Sequence, residues 1–104
     1  MIEAADAIAG YVARGRAGFD ADSAVRDAIL YQIIVLGEAA KAVLAAEPTL
    51  ATTLPDVDWS PMARMRDRLA HHYWATDREV VWTTAADAVP KVRQTLVNAL
   101  ARLG

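Results

Sequence analysis

The chain has no cysteine, which removes disulfides, thiolate zinc sites and a thiol nucleophile together and agrees with a reducing cytosol. It has little net charge: 11 basic side chains face 13 acidic ones, a formal −2 at pH 7. The whole molecule therefore lacks the broad attraction for nucleic acid that a basic protein has. Apolar runs are interrupted by Glu38, Lys41 and similar residues before the roughly 18 to 20 positions needed to cross a bilayer. The opening Met1-Ile2-Glu3-Ala4-Ala5-Asp6 lacks the basic start and apolar stretch of a secretion signal. A soluble cytoplasmic protein with no membrane partner is the expectation. Strand-like alternation is missing as well, because apolar residues recur at helical spacing throughout.

What is present fits a single all-α domain over residues 1–104, an up-and-down bundle of four or five helices with short links. The apolar fraction of 55% is high for a soluble domain and leaves either a rich core or a face for another chain, which favours a homodimer. Charge divides unevenly. Up to Ser60 there are four basic against nine acidic side chains, a balance of −5; from Pro61 on there are seven against four, or +3. A local basic groove on an acidic body predicts selective, salt-sensitive contact with a phosphate backbone.

A first helix is predicted over residues 2–13, with Ala5, Ile8, Ala9 and Val12 as its apolar stripe and Gly15 and Gly18 as its stop. Asp20, Asp22 or Ser23 caps a second, which runs to about Glu47 ahead of Pro48. Val25, Ile29, Ile33, Leu36, Ala40 and Val43 form one seam of that helix, and Leu30, Ile34, Val35 and Leu44 form another. Two seams need two partners, the domain's own core and a second copy, with Gly37, Ala39 and Ala40 admitting a close neighbour. Residues 48–58 read as a loop pinned by Leu50, Leu54 and Val57. Ser60-Pro61 reads as a cap with proline at the first helical position of a third helix carrying Met62, Met65 and Leu69, ended by Trp74-Ala75-Thr76. Asp77 caps a fourth with Val80, Val81, Trp82, Ala85, Ala86 and Val89 inside. Pro90 then either kinks it or starts a fifth, with Val92, Leu96, Val97, Leu100 and Leu103 continuing the stripe.

Polar reactivity is concentrated in Arg66-Asp67-Arg68-Leu69-Ala70-His71-His72-Tyr73. A helical residue turns about 100°, so Arg66 and Tyr73 project within about 20° of each other while Arg66 and His71 differ by about 140°. Arg66, His71 and Tyr73 converge if the helix end unwinds near residues 70–73, if the arginine stem reaches round, or if two chains combine their copies in one composite cleft. For RNA cleavage without a metal, His71 can take the proton of a ribose 2'-hydroxyl and Arg66 can meet the phosphate with its fork of donors. Asp67, four residues before His71, can orient its imidazole. Tyr73 can position the phosphate or act as an acid.

Other residues have plainer readings. Arg64 and Arg68 are solvated or salt-bridged surface cations, and Glu38 is a surface or interhelical partner of Lys41 and not an acid catalyst. Trp59, Trp74 and Trp82 are core or interface anchors. His71 taken alone suits a helix C-terminus. His71 and His72 diverge by about 100° with no regular third ligand, so neither a metal nor a cofactor is expected.

Gly37-Glu38-Ala39-Ala40, the Pro55-Asp56-Val57-Asp58-Trp59 loop, the segment from Met65 to Tyr73 and the later Asp77 and Val81-Trp82 together resemble, in order and spacing, the HepT-like proteins of the HEPN superfamily. Their signature is arginine, four to six residues, histidine, any residue, tyrosine, and the resemblance covers almost the whole chain. It implies a ribonuclease toxin of a toxin-antitoxin module, partnered by a minimal nucleotidyltransferase, acting on RNA as a homodimer with Arg66 and His71 as its metal-independent catalytic pair. It also implies that Tyr73 is the tyrosine the partner modifies with AMP, which would place negative charge beside Arg66 and His71. Asp67 departs from the asparagine common at that position, and an acid there lowers phosphate affinity or raises the pKa of His71. The competing class is a non-catalytic helical module that binds a nucleotidyltransferase or nucleotide.

Overall fold

A computed structural model of the chain describes residues 1–72 and 77–103. These form α1 (Ile2–Val12), α2 (Arg16–Ala21), α3 (Ser23–Ala46), α4 (Leu50–Thr53), α5 (Trp59–His72), α6 (Arg78–Thr83) and α7 (Val89–Leu103), with a π-helical turn at Thr84–Ala88 between the last two. No strand occurs among the described residues, so the all-α expectation holds. α3 is the central rod: α5 packs along it, α1 packs on it as well, and α7 and the π turn pack on α1. The result is a slab of 41 × 27 × 16 Å. α5 packs chiefly on α3 and keeps much of its surface open.

Local chemistry accounts for the starts and stops. Gly15 takes φ 90°, a left-handed conformation that a side chain resists, and turns α1 into α2. α2 was not expected. It exists because Phe19, fully buried, anchors the turn against Trp82, while Arg26 donates to the carbonyls of Phe19 and Asp20 at 2.9 and 2.7 Å and so satisfies its end. Asp22 caps α3 by accepting from the Ala24 amide at 2.9 Å, and Asp77 caps α6 through Glu79 at 2.7 Å, both as predicted.

The start of α5 differs from prediction. It begins at Trp59, with the Asp58 carbonyl accepting from the Met62 amide at 3.1 Å, so Ser60 and Pro61 lie inside its first turn and not at its cap. Burial of Trp59, whose indole donates to the Leu54 carbonyl at 3.2 Å, pulls the start forward. The expected loop ahead of it holds the single turn α4, with Leu54 and Val57 buried beneath. Pro90 does both less and more than expected. The backbone from Arg78 to Leu103 stays helical, and the π turn just before the proline relieves the missing amide and the ring's clash with the preceding turn.

The core comprises Ile8, Phe19, Ile29, Leu36, Leu69 and their neighbours, and no polar residue is buried among the described residues. The first seam of α3 is buried from Val25 to Ala40, as predicted. The second seam, Leu30, Ile34, Val35 and Leu44, is already half covered by the chain's own core, while Tyr31 on the same helix is 64% exposed. In α1 Ala5 and Ile8 are buried and Val12 packs against the core as predicted, while Ala4 joins them and Ala9 is exposed. In α7 it is Ala99 that is buried and Leu100 that is 56% exposed. Contrary to the expectation from uninterrupted runs, α3 is long and apolar enough to cross a membrane by length and composition, with mean hydropathy 1.6 over its apolar window. In the fold it supplies the seam on which α1 and α5 pack.

Candidate active site

The site is built where α5 crosses α3. At Gly37 an added Cβ would collide with Cβ of Arg66 and lie 2.7 Å from the Met62 carbonyl oxygen. Glycine therefore sets how closely the two helices approach. The close neighbour that Gly37 admits is α5 of the same chain and not the second copy expected from the sequence. Because Arg66 leaves α5 directly against Gly37, its stem is pinned at the crossing and its side chain is only 25% exposed.

From there the guanidinium reaches two carboxylates. Its Nε lies 2.8 Å from Oε2 of Glu38, an ion pair whose N–H is not aimed along a hydrogen bond and is otherwise shielded from solvent. Its Nη1 donates to Oδ1 of Asp67 at 3.0 Å. The same Oδ1 accepts from Nζ of Lys41 at 2.9 Å. Lys41 first, then Arg66, hold the Asp67 carboxyl below its ordinary value through these hydrogen bonds.

Two expectations are corrected here. Asp67 does not orient His71: its Oδ1 accepts charge-assisted bonds from Lys41 of α3 and from the neighbouring Arg66, which draw it toward α3. Glu38 does not pair with Lys41, one turn along its own helix, but with Arg66 across the crossing, and Lys41 takes Asp67. The sequence could have signalled both, since Glu38 and Lys41, three apart on α3, present opposite charges to Arg66 and Asp67 on α5.

His71 is exposed in the last turn of α5, which stays helical through His72. The helix therefore does not unwind over residues 70–72. Arg66 is held at the α3 crossing by Glu38 and Asp67, and Asp67 lies one helical turn before His71. Tyr73 and Trp74 lie outside the described residues, so the tyrosine end of the motif is not placed. Arg64 and Arg68 are exposed on α5, as expected. Trp59 is a core residue, and Trp82 packs its ring 5.2 Å from that of Phe19.

The ribonuclease HepT-like family model matches residues 1–99. The chain belongs to this family. Among similar proteins, one of Methanocaldococcus jannaschii named as an RNase is 33% identical over 69 residues, covering 66% of this chain and 54% of the relative. A Thermococcus cleftensis protein named as a ribonuclease HepT is 32% identical over 75 residues, 72% of this chain and 66% of its own length. Another M. jannaschii protein named as an RNase is 29% identical over 73 residues, 70% and 60% of the two chains. This chain thus spans between about half and two thirds of the length of these relatives. No solved structure matches it.

Proposed function

We propose that this HepT-like chain is an endoribonuclease toxin of a toxin-antitoxin module. The reading is carried by one observation: Arg66 and the exposed His71 stand on one helix with much of its surface open to solvent, the Arg66 guanidinium bonded to Asp67, one helical turn before His71. His71 takes the proton of a ribose 2'-hydroxyl, the oxygen attacks the adjacent phosphorus, and the bond from phosphorus to the 5'-oxygen breaks. The leaving 5'-oxygen takes up a proton from solvent, His71 returns its own proton to solvent, and Arg66 meets the charge that builds on the phosphate oxygens. A base and a forked cation suffice for that sequence, so the cleavage is metal-independent. Two copies in a homodimer bring two such faces to one cleft, and Tyr73, two residues past His71, is the site at which a nucleotidyltransferase antitoxin adds AMP. Such an adduct brings phosphate into reach of Arg66 and excludes RNA. The work is done in the cytoplasm.

The test is expression of the chain with and without His71→Ala. Growth arrest and RNA fragmentation that disappear in the variant support the nuclease. Full toxicity in the variant overturns the mechanism and leaves the non-catalytic binding module, a reading favoured by the two carboxylates that already occupy Arg66.

A further inference from the structure

We propose that Lys41 is a second phosphate-binding cation of the site, and that Asp67 occupies, in the free chain, the place a substrate phosphate takes between Lys41 and Arg66. The proposal rests on the nuclease reading and adds to it a residue from a different helix. Lys41 Nζ and Arg66 Nη1 close on the same oxygen, Oδ1 of Asp67, at 2.9 and 3.0 Å. Two cations from two helices around one anionic oxygen is the arrangement a phosphate oxygen requires.

The cluster can be entered from solvent, since the Lys41 side chain is 41% exposed and that of Asp67 52%. It also has unused capacity. A guanidinium carries five N–H donors, and among the described residues Arg66 makes one hydrogen bond, to Asp67. Lys41 brings three donors and makes one hydrogen bond, to the same oxygen. Counting Glu38, the four charges cancel, so the free cluster attracts RNA weakly until a carboxylate yields. A rotation of the exposed Asp67 side chain away from α3 exposes both cations at once. A phosphate seated there lies about one helical turn from His71, because Asp67 and His71 are four residues apart on α5. Lys41 thereby fixes which phosphate of a single strand lies beside the base. It is a binding residue and takes no proton.

The experiment uses the full chain and a short fluorescein-labelled 2'-O-methyl oligoribonucleotide, which cannot be cleaved by 2'-hydroxyl attack, with binding read by anisotropy across a range of salt. Lys41→Ala is expected to weaken binding by about 3- to 10-fold and to reduce the salt slope by about 0.7, the increment for one phosphate contact on a single strand. Lys41→Arg restores both, and on cleavable RNA Lys41→Ala raises KM more than it lowers kcat. Unchanged affinity and slope in Lys41→Ala, while Arg66→Ala weakens the same oligonucleotide, overturn the role of Lys41 and leave the nuclease reading standing. Equal losses in Lys41→Ala and Lys41→Arg overturn a role for its charge. A wild-type chain that neither binds the oligonucleotide nor cleaves RNA overturns both readings together.

Discussion

Two arginines of this chain are each held by two carboxylates, and they are not alike. Arg16 uses all three of its nitrogens. Its Nε donates to both carboxylate oxygens of Asp20 at 3.1 Å, and Nη1 and Nη2 donate to Glu79 at 3.2 and 2.7 Å. Its plane also lies 5.7 Å from the ring centres of Phe19 and Trp82. Arg16 therefore ties α2 to α6 through every nitrogen of its guanidinium. Among the described residues Arg66 aims one hydrogen bond, at Asp67, and leaves its Nε buried beside Glu38 without one, and a second cation stands next to it. The first arrangement is a closed tie between elements. The second is an anion site filled by the chain's own carboxylate. What separates structure from function here is the completeness of the partners, not the residue type.

The sharpest way to break this comparison is to remove each arginine in turn. Arg66→Ala is expected to lower kcat/KM for RNA by about 10²- to 10³-fold, the usual loss for one donor to a developing oxyanion, with the fold intact by circular dichroism. Arg16→Ala should leave cleavage close to wild type and lower the melting temperature. If Arg16→Ala abolishes cleavage while the chain stays folded, the distinction fails.

A second change attacks the crossing on which Arg66 depends. Gly37→Ala forces a methyl group against Arg66 and the Met62 carbonyl, and is expected to destabilise by about 1 to 3 kcal/mol, as overpacking does. Denaturant unfolding measures it, and stability equal to wild type would show that α3 and α5 separate without penalty.

A smaller effect is expected from Asp67→Asn, which keeps the shape and removes the competing charge. It should tighten the 2'-O-methyl oligonucleotide by a few-fold, and weaker binding would mean that Asp67 assists phosphate instead of standing in for it.

The smallest concerns pH, and it falls on both arginine clusters. Asp67 is depressed by Lys41 and then Arg66, and Glu79 by Arg16. Carboxyls depressed in the folded state contribute stability that is complete above their ordinary values of 3.8 and 4.5 and lost as pH falls through the lower, folded ones. Both are exposed, so salt screens the effect. Melting curves in acid should show a shallower decline for Glu79→Gln and Asp67→Asn than for wild type, and identical slopes would sink this account.

The helical class, the caps at Asp22 and Asp77 and the buried seam of α3 were legible because they depend on neighbours three and four residues away. So was the reactive segment of α5, since its residue types stand out against alanine and leucine. The partners of Asp67 and Glu38 were misread because a pair on one helix looks nearer in sequence than a pair across a crossing. α2 was missed because six residues carry too little periodicity, and only the docking of Phe19 on Trp82 makes them a helix.

The sequence by itself determined that this chain would be helical and where its guanidinium and imidazole would lie along α5, because local spacing fixes direction around a helix axis. Only the tertiary structure decided that Gly37 would bring α5 onto α3, that Arg66 would meet Glu38 and Asp67 at that crossing, and that Lys41 would join them. Those outcomes depend on a close approach between helices whose crossing residues, Gly37 and Arg66, are far apart in the chain, and no local pattern encodes it.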